Sequence, residues 1–290
     1  MHQRPFDLLI SASGILLGLI VVGYVVYDMS YTSTVAPCTQ RSSAAMRFPL
    51  HGADGKLLSP MALQARTRGG RNVGVLENAS VVAVEGGPLP DAMQVELRST
   101  PEASAAGGTI TNGIEFRWSP FVEEIGTATC LSYYLRLPKT FDFGRGGVLP
   151  GLEAQDDPQT TKQDAISIQT QWDGQGVPLI RSVNENGDPL HIFGVTPLAT
   201  DRWLRIELET VLNTPGQSDG ILRLWVDGTL ATENTHLSLR TDALTQISNV
   251  VVAAAYRQTP PVGAATSLQF SGIEIARLKL QNRLFPGLEK

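Results

Sequence analysis

Side chains able to do chemistry are scattered along this chain of 290 residues. Tyr133, Tyr134, His191, Tyr256 and Arg257 lie on or beside apolar, alternating segments, and Arg145 lies in the run GRGG at 144–147. A Tyr/Arg/His set can carry out an elimination beside a carboxylate. A cation neutralises the carboxylate, a base removes the neighbouring proton and an acid protonates the leaving oxygen. The plainer reading is that Tyr133 and Tyr134 straddle one strand, one packed and one at the surface. His191 is then an edge residue and Arg145 a solvated loop charge. Gln169 and Gln171 share one strand face with Asp173 and can hydrogen-bond sugar hydroxyls, and Arg181 follows in the next segment. Trp118, Trp172, Trp203 and Trp225 fall inside strands or at their ends, as core or as stacking surfaces.

Other motifs are weak. GRGG lacks the strand-to-helix setting of a phosphate loop. Asp156-Asp157 reads as a solvated loop pair rather than a calcium site. Asn78-Ala79-Ser80 matches a glycosylation acceptor, which matters only in a eukaryotic secretory pathway. The cysteines lack metal-type spacing, and no cofactor or metal is expected. Net charge is −5 and no basic stripe is present, so nucleic acid is not an expected partner.

These residues must be positioned mainly by strands. The hydrophobic fraction is 42% and the charged fraction 18%, enough for a sizeable core. Alternation in MQVELR, LRIELE and LRLWVD has period two, the pattern of strands with one face buried. Candidate strands lie at 81–85, 93–98, 113–118, 129–137, 165–172, 178–183, 190–193, 203–212, 221–226, 249–255 and 268–280. Asn186-Gly187 and Asp227-Gly228 sit between apolar runs as hairpin turns. Residues 59–66 read as a short helix or turn, and 67–72 as a loop. The expected domain is an all-β, two-sheet antiparallel jelly-roll sandwich over 71–281, with a surface tail at 282–290.

Residues 8–27, LLISASGILLGLIVVGYVVY, carry no charge, and roughly 20 apolar residues cross a bilayer. A signal peptide would have an apolar core of only about 7–15 residues followed by a small-residue cleavage site. The run therefore reads as an uncleaved transmembrane helix within an anchor at 1–29, with the N-terminus cytoplasmic and the domain periplasmic or otherwise extracytoplasmic. Gly14 and Gly18 form a G-x-x-x-G pair suited to packing against another membrane helix, although glycine is common in such helices. Residues 30–70 read as a juxtamembrane linker or extension. An exported domain permits a Cys38–Cys130 disulfide. Its long loop would contribute about 4–5 kcal/mol in the chain-entropy picture. The alternative is a buried thiol at Cys130 and a free Cys38.

Residues 131–152, LSYYLRLPKTFDFGRGGVLPGL, join an apolar-aromatic strand to a glycine- and proline-rich loop. This segment resembles the signature of the β-jelly-roll polysaccharide lyases that cleave alginate and glucuronan. Residues 203–228, WLRIELETVLNTPGQSDGILRLWVDG, and 270–280, FSGIEIARLKL, extend the resemblance over roughly 86–280. It implies two packed, curved antiparallel sheets with glycan on the concave face. In that family the loop typically reads G-G-K-L-P-G-L, and its lysine is implicated in catalysis. The matching position here is Val148, which carries no charge and transfers no proton. The family also supplies arginine and tyrosine from the next strand pair. Here AISIQTQW at 165–172 has no arginine, and VPLIRSV at 177–183 has Arg181 but no tyrosine.

No catalytic residue is therefore expected. The chain reads as a membrane-anchored, non-catalytic jelly roll serving as an accessory or structural subunit of a larger membrane complex. The alternatives are a membrane-tethered glycan-binding module using Gln169, Gln171, Arg181, Arg145 and Tyr134, and a divergent polyuronate lyase. Expected partners are the bilayer, other membrane subunits and, for the second reading, polysaccharide.

Overall fold

The computed structural model describes residues 35–67, 72–98, 112–120, 125–155, 166–257 and 266–278. The chain divides into two units, Met1–Val35 and Ala36–Lys290, and all described secondary structure lies in the second. The expected span at 8–27, with Gly14 and Gly18, lies outside the described residues. Among the described residues no helix is long and apolar enough to cross a membrane.

The described chain forms two antiparallel sheets, as the alternation predicts. Numbered in chain order, the larger sheet contains β1 (Met46–Arg47), β2 (Ala79–Ala83), β3 (Asp91–Leu97), β5 (Ala128–Arg136), β10 (Trp203–Val211), β11 (Gly220–Val226), β12 (Thr229–Leu237) and β14 (Thr266–Arg277). Its order is β12-β11-β10-β5-β14-β3-β2, with β1 also paired to β14. The smaller contains β4 (Ile114–Trp118), β6 (Gly147–Gln155), β7 (Ile166–Trp172), β8 (Pro178–Val183), β9 (Pro189–Phe193) and β13 (Gln246–Tyr256). Its order is β4-β13-β6-β7-β8-β9. A short helix at Pro60–Ala65 is capped by Ser59, whose hydroxyl accepts from the Ala62 amide at 3.2 Å.

The inner faces meet in one apolar core. Leu131, Tyr133 and Leu135 of β5 and Leu204, Ile206 and Leu208 of β10 are buried in the same cluster as Ile166, Ile168 and Trp172 of β7 and Val250, Val252 and Ala254 of β13. A polar link crosses that core. Thr170 donates to the Pro150 carbonyl at 2.6 Å, which uses its one proton, so Tyr133 donates to Thr170 Oγ1 at 2.8 Å. Burial pushes the Tyr133 hydroxyl well above the ordinary tyrosine range, and the bond to Thr170 offsets only part of that.

Within the sheets, two strands differ from expectation. Residues 147–152, expected in a loop, lie in β6, an interior strand between β13 and β7. A bulge makes room for Pro150: Val148 pairs with Gln171 and Gly151 with Gln169, leaving Leu149 and Pro150 opposite Thr170. No ladder bond there needs a proline N–H. The flanking glycines allow close packing, since a Cβ on Gly147 would lie 2.0 Å from the Trp172 ring and one on Gly151 2.2 Å from the Ile168 carbonyl oxygen. The second segment, β12, reads TLATENTHL and has no apolar alternation. It is an edge strand, defined by pairing with β11 across Asp227-Gly228, where φ is 52° and 76°.

The stretch expected as a linker is partly built into the sandwich. Cys38 and Cys130 form a disulfide, both sulfur-bearing residues being buried. Around it Thr39 donates to Glu207 through its amide and hydroxyl, at 3.0 and 2.9 Å. Arg41 grips both carboxylate oxygens of Glu209 at 3.1 and 2.6 Å and lies over the Trp225 ring. Further on, β1 pairs with β14 and Phe48 enters the core against Phe116 and Trp118. Residues 36–48 thus strap the larger sheet because they carry a covalent partner for β5 and hydrogen-bonding and ionic partners for β10.

Replacing Tyr133 by Phe is expected to cost about 1 kcal/mol. Thr170→Val is expected to cost more, about 1–3 kcal/mol, because it strands both the Tyr133 hydroxyl and the Pro150 carbonyl. Urea unfolding of the two variants checks the ranking. A Cys38→Ala/Cys130→Ala double variant is expected to lose about 2–5 kcal/mol, read as a lower denaturation midpoint under oxidising conditions.

Candidate functional site

The register assigns the outer face of the smaller sheet residue by residue. One row runs Arg117, Val251, Gly151, Gln169, Arg181, His191 across all six strands. Beside it runs Ala255, Val148, Gln171, Leu179, Phe193. A third holds Asn249, Glu153, Ser167 and Val183. Gln169, Gln171 and Arg181 therefore share a face, as expected, and His191 joins them.

The two ends of this face differ in charge. Arg117 clamps Glu153 through two bonds of 2.6 and 2.8 Å, a partly buried and self-neutralised pair. At the other end Arg181 and His191 are cross-strand neighbours, and Arg257 follows the end of β13. Among the described residues neither Arg181 nor Arg257 makes an ion pair or side-chain hydrogen bond. The His191 imidazole is held below its ordinary pKa, first by loss of solvent and then by the charges of Arg257 and Arg181. His191 and Phe193 stack at 6.2 Å on the exposed edge strand.

Between these ends the face is apolar and closed. Val148 packs with Val251, Ala253 and Ala255 in a separate buried cluster. Gln171 is 2% exposed, and its carbonyl oxygen has no hydrogen-bond partner among the described residues. It is a buried acceptor left unsatisfied among the described residues.

The remaining sequence candidates are not brought here. Tyr133 points into the core. Tyr134, its neighbour, faces out of the other sheet, where its hydroxyl accepts from Arg205 at 2.7 Å and its ring carries the guanidinium 5.0 Å away. Strand alternation and sheet identity separate it from Gln169. Arg145 is exposed in the turn before β6. Tyr256 faces the core and donates to the Asp142 carbonyl at 2.6 Å; burial, with the Asp142 charge, pushes its hydroxyl up to about 12. Three tryptophans, Trp118, Trp172 and Trp225, are buried, and Trp203 is partly exposed. Donor atoms of Cys38, Cys130 and Glu207 lie within 4.8 Å of one another, but the sulfurs are joined to each other and are not thiolate ligands.

The two antiparallel sheets packed on one core form a jelly roll similar in fold to solved polysaccharide lyases. Solved structures with this fold include the marine PL-14 alginate lyase from Aplysia kurodai, 15% identical, with 81% of this chain and 99% of that one covered at a TM-score of 0.63. An alginate lyase from Chlorella virus is 17% identical, with 73% and 93% covered at 0.58. The endo-β-1,4-glucuronan lyase of the fungus Trichoderma reesei is 12% identical, with 81% and 95% covered at 0.56. At such identity the likeness establishes the fold. No family model and no curated protein matches the sequence.

Arg181→Gln is expected to raise the His191 pKa in part, because desolvation and Arg257 still depress it. An NMR titration of the imidazole reads the shift directly.

Proposed function

We propose that this chain is a membrane-anchored, extracytoplasmic jelly-roll protein that does not catalyse elimination and serves as an accessory or structural subunit of a larger membrane assembly. One observation carries the non-catalytic part. Val148, which aligns with the lysine of the K-L-P-G loop, is packed among Val251, Ala253 and Ala255. The tyrosines of the described residues, Tyr133, Tyr134 and Tyr256, are committed to Thr170, Arg205 and Asp142 instead. Among the described residues, a carboxylate-bearing substrate on this face would meet cations at one end but no positioned tyrosine or lysine to move its protons. The uncharged run at 8–27 and the Gly14/Gly18 pair support the anchored, partnered part.

Gentle extraction from the native membrane tests this reading: co-purification with defined membrane subunits is expected, and a monodisperse, partner-free protein would overturn it. Val148→Lys is expected to yield no unsaturated product from alginate or glucuronan by ultraviolet absorbance, because the tyrosine is still missing.

A glycan-binding role is favoured by a separate observation: Arg181, paired across strands with Gln169, and Arg257 make no ion pair among the described residues, and both act electrostatically on His191. A polyuronate bound there is expected to raise the His191 pKa, since an added anion stabilises the imidazolium. An unchanged His191 titration at saturating polyuronate would exclude this use of the face.

A further inference from the structure

The outer face of the larger sheet carries a second row with the makings of a binding site. Cross-strand pairing aligns Trp203, Arg136, Gln269, Gln94 and Ser80 over β10, β5, β14, β3 and β2. At the Arg136 end of that row a pocket of about 210 Å³ opens, lined by Arg136, Pro138, Lys139, Asp201, Ser267 and Gln269. It lies on the sheet opposite to the Gln169–Arg181 face and shares no residue with it.

We propose that this pocket binds a small oxyanion, a carboxylate or a sulfate or phosphate ester, with Arg136 as its principal ligand. Arg136 projects from an interior strand between β10 and β14, so its base is fixed. Its one ionic neighbour among the described residues, Asp201, stands 4.0 Å away with a 60% exposed side chain. That separation leaves the planar guanidinium free for a bidentate partner. Lys139 makes no ion pair among the described residues and adds a second cation. The lining thus carries two cations and one carboxylate in a protein of net charge −5. The wall is ordered rather than floppy: Asp201 adopts a left-handed φ of 62°, and its amide donates to the Leu137 carbonyl at 2.8 Å. The Ser267 hydroxyl supplies a neutral donor. The Gln269 amide already donates to Gln94 at 3.1 Å, which leaves its second N–H for a ligand. Trp203, on the same face, offers an apolar surface next to the charge.

The same oxyanion chemistry belongs to an acidic sugar, a lipid headgroup or a free inorganic ion, and the test separates them. Full-length protein in mild detergent is titrated calorimetrically with glucuronate, glycerol phosphate and sodium sulfate, at ionic strength held constant with chloride. Saturable binding of at least one is expected, weakened at least tenfold by Arg136→Gln and severalfold by Lys139→Gln, and unchanged by Arg181→Gln on the opposite sheet. Binding restricted to glucuronate identifies a sugar acid, to glycerol phosphate a headgroup, and to sulfate an inorganic ligand. Lys139 is an exposed loop residue, so its variant keeps the test valid if Arg136→Gln is poorly folded. No saturable heat with any of the three, equal affinity in both pocket variants, or loss in Arg181→Gln alone would overturn the proposal.

Discussion

The hydrogen-bonded chain Tyr133–Thr170–Pro150 is the constraint on which the smaller sheet's geometry depends. It crosses the core between the sheets and ends on the residue that bulges β6. A buried hydroxyl pair without partners would cost several times what it contributes when satisfied, so the arrangement locks Thr170 inward and, by alternation, Gln169 and Gln171 outward. The bulge then sets Val148 facing out beside Gln171 while Leu149 faces in. A one-residue slip in β6 would reverse both. The composition of the outer face is therefore a consequence of how the core is satisfied.

Charge is handled differently on the two outer faces. On the larger sheet the buried Glu207, Glu209 and Arg223 are each paired, and the strap supplies Thr39 and Arg41 to do it. Buried carboxylates are tolerated only with such partners, so the strap and the disulfide beneath it form one unit with the sheet. On the smaller sheet Arg117 and Glu153 neutralise each other, whereas Arg181 and Arg257 do not find carboxylates among the described residues. An acidic protein that leaves cations unpaired at defined places presents those places to anions.

Much of the fold is legible in the chain, and the exceptions have physical reasons. Strands with one solvated face, such as LRIELE in β10 and LRLWVD in β11, announce themselves by alternation. In β6 the proline and glycines that read as a loop are the adjustments an interior strand needs to pass Trp172 and Thr170 closely. In β12 the edge position removes the apolar signal altogether. The role of residues 36–48 was hidden because its partners, Cys130, Glu207 and Glu209, lie more than ninety positions away. Of the five glycan candidates, Gln169, Gln171 and Arg181 come together because they belong to adjoining strands of one sheet, while Tyr134 belongs to the other sheet and Arg145 to a turn.

By itself the sequence determined the all-β class, most strand positions, the hairpin turns, an uncharged N-terminal run of spanning length and an uncharged valine at position 148 of the glycine- and proline-rich segment. These are properties of local pattern and residue type, and local pattern is what a linear reading can hold. Only the tertiary structure decided which face each alternating residue takes, that Cys38 meets Cys130, that Val148 is sealed by three small neighbours, and that Arg136 and Lys139 edge a common pocket. Those facts depend on register between strands distant in the chain, which the pairing of two sheets sets and no single segment encodes.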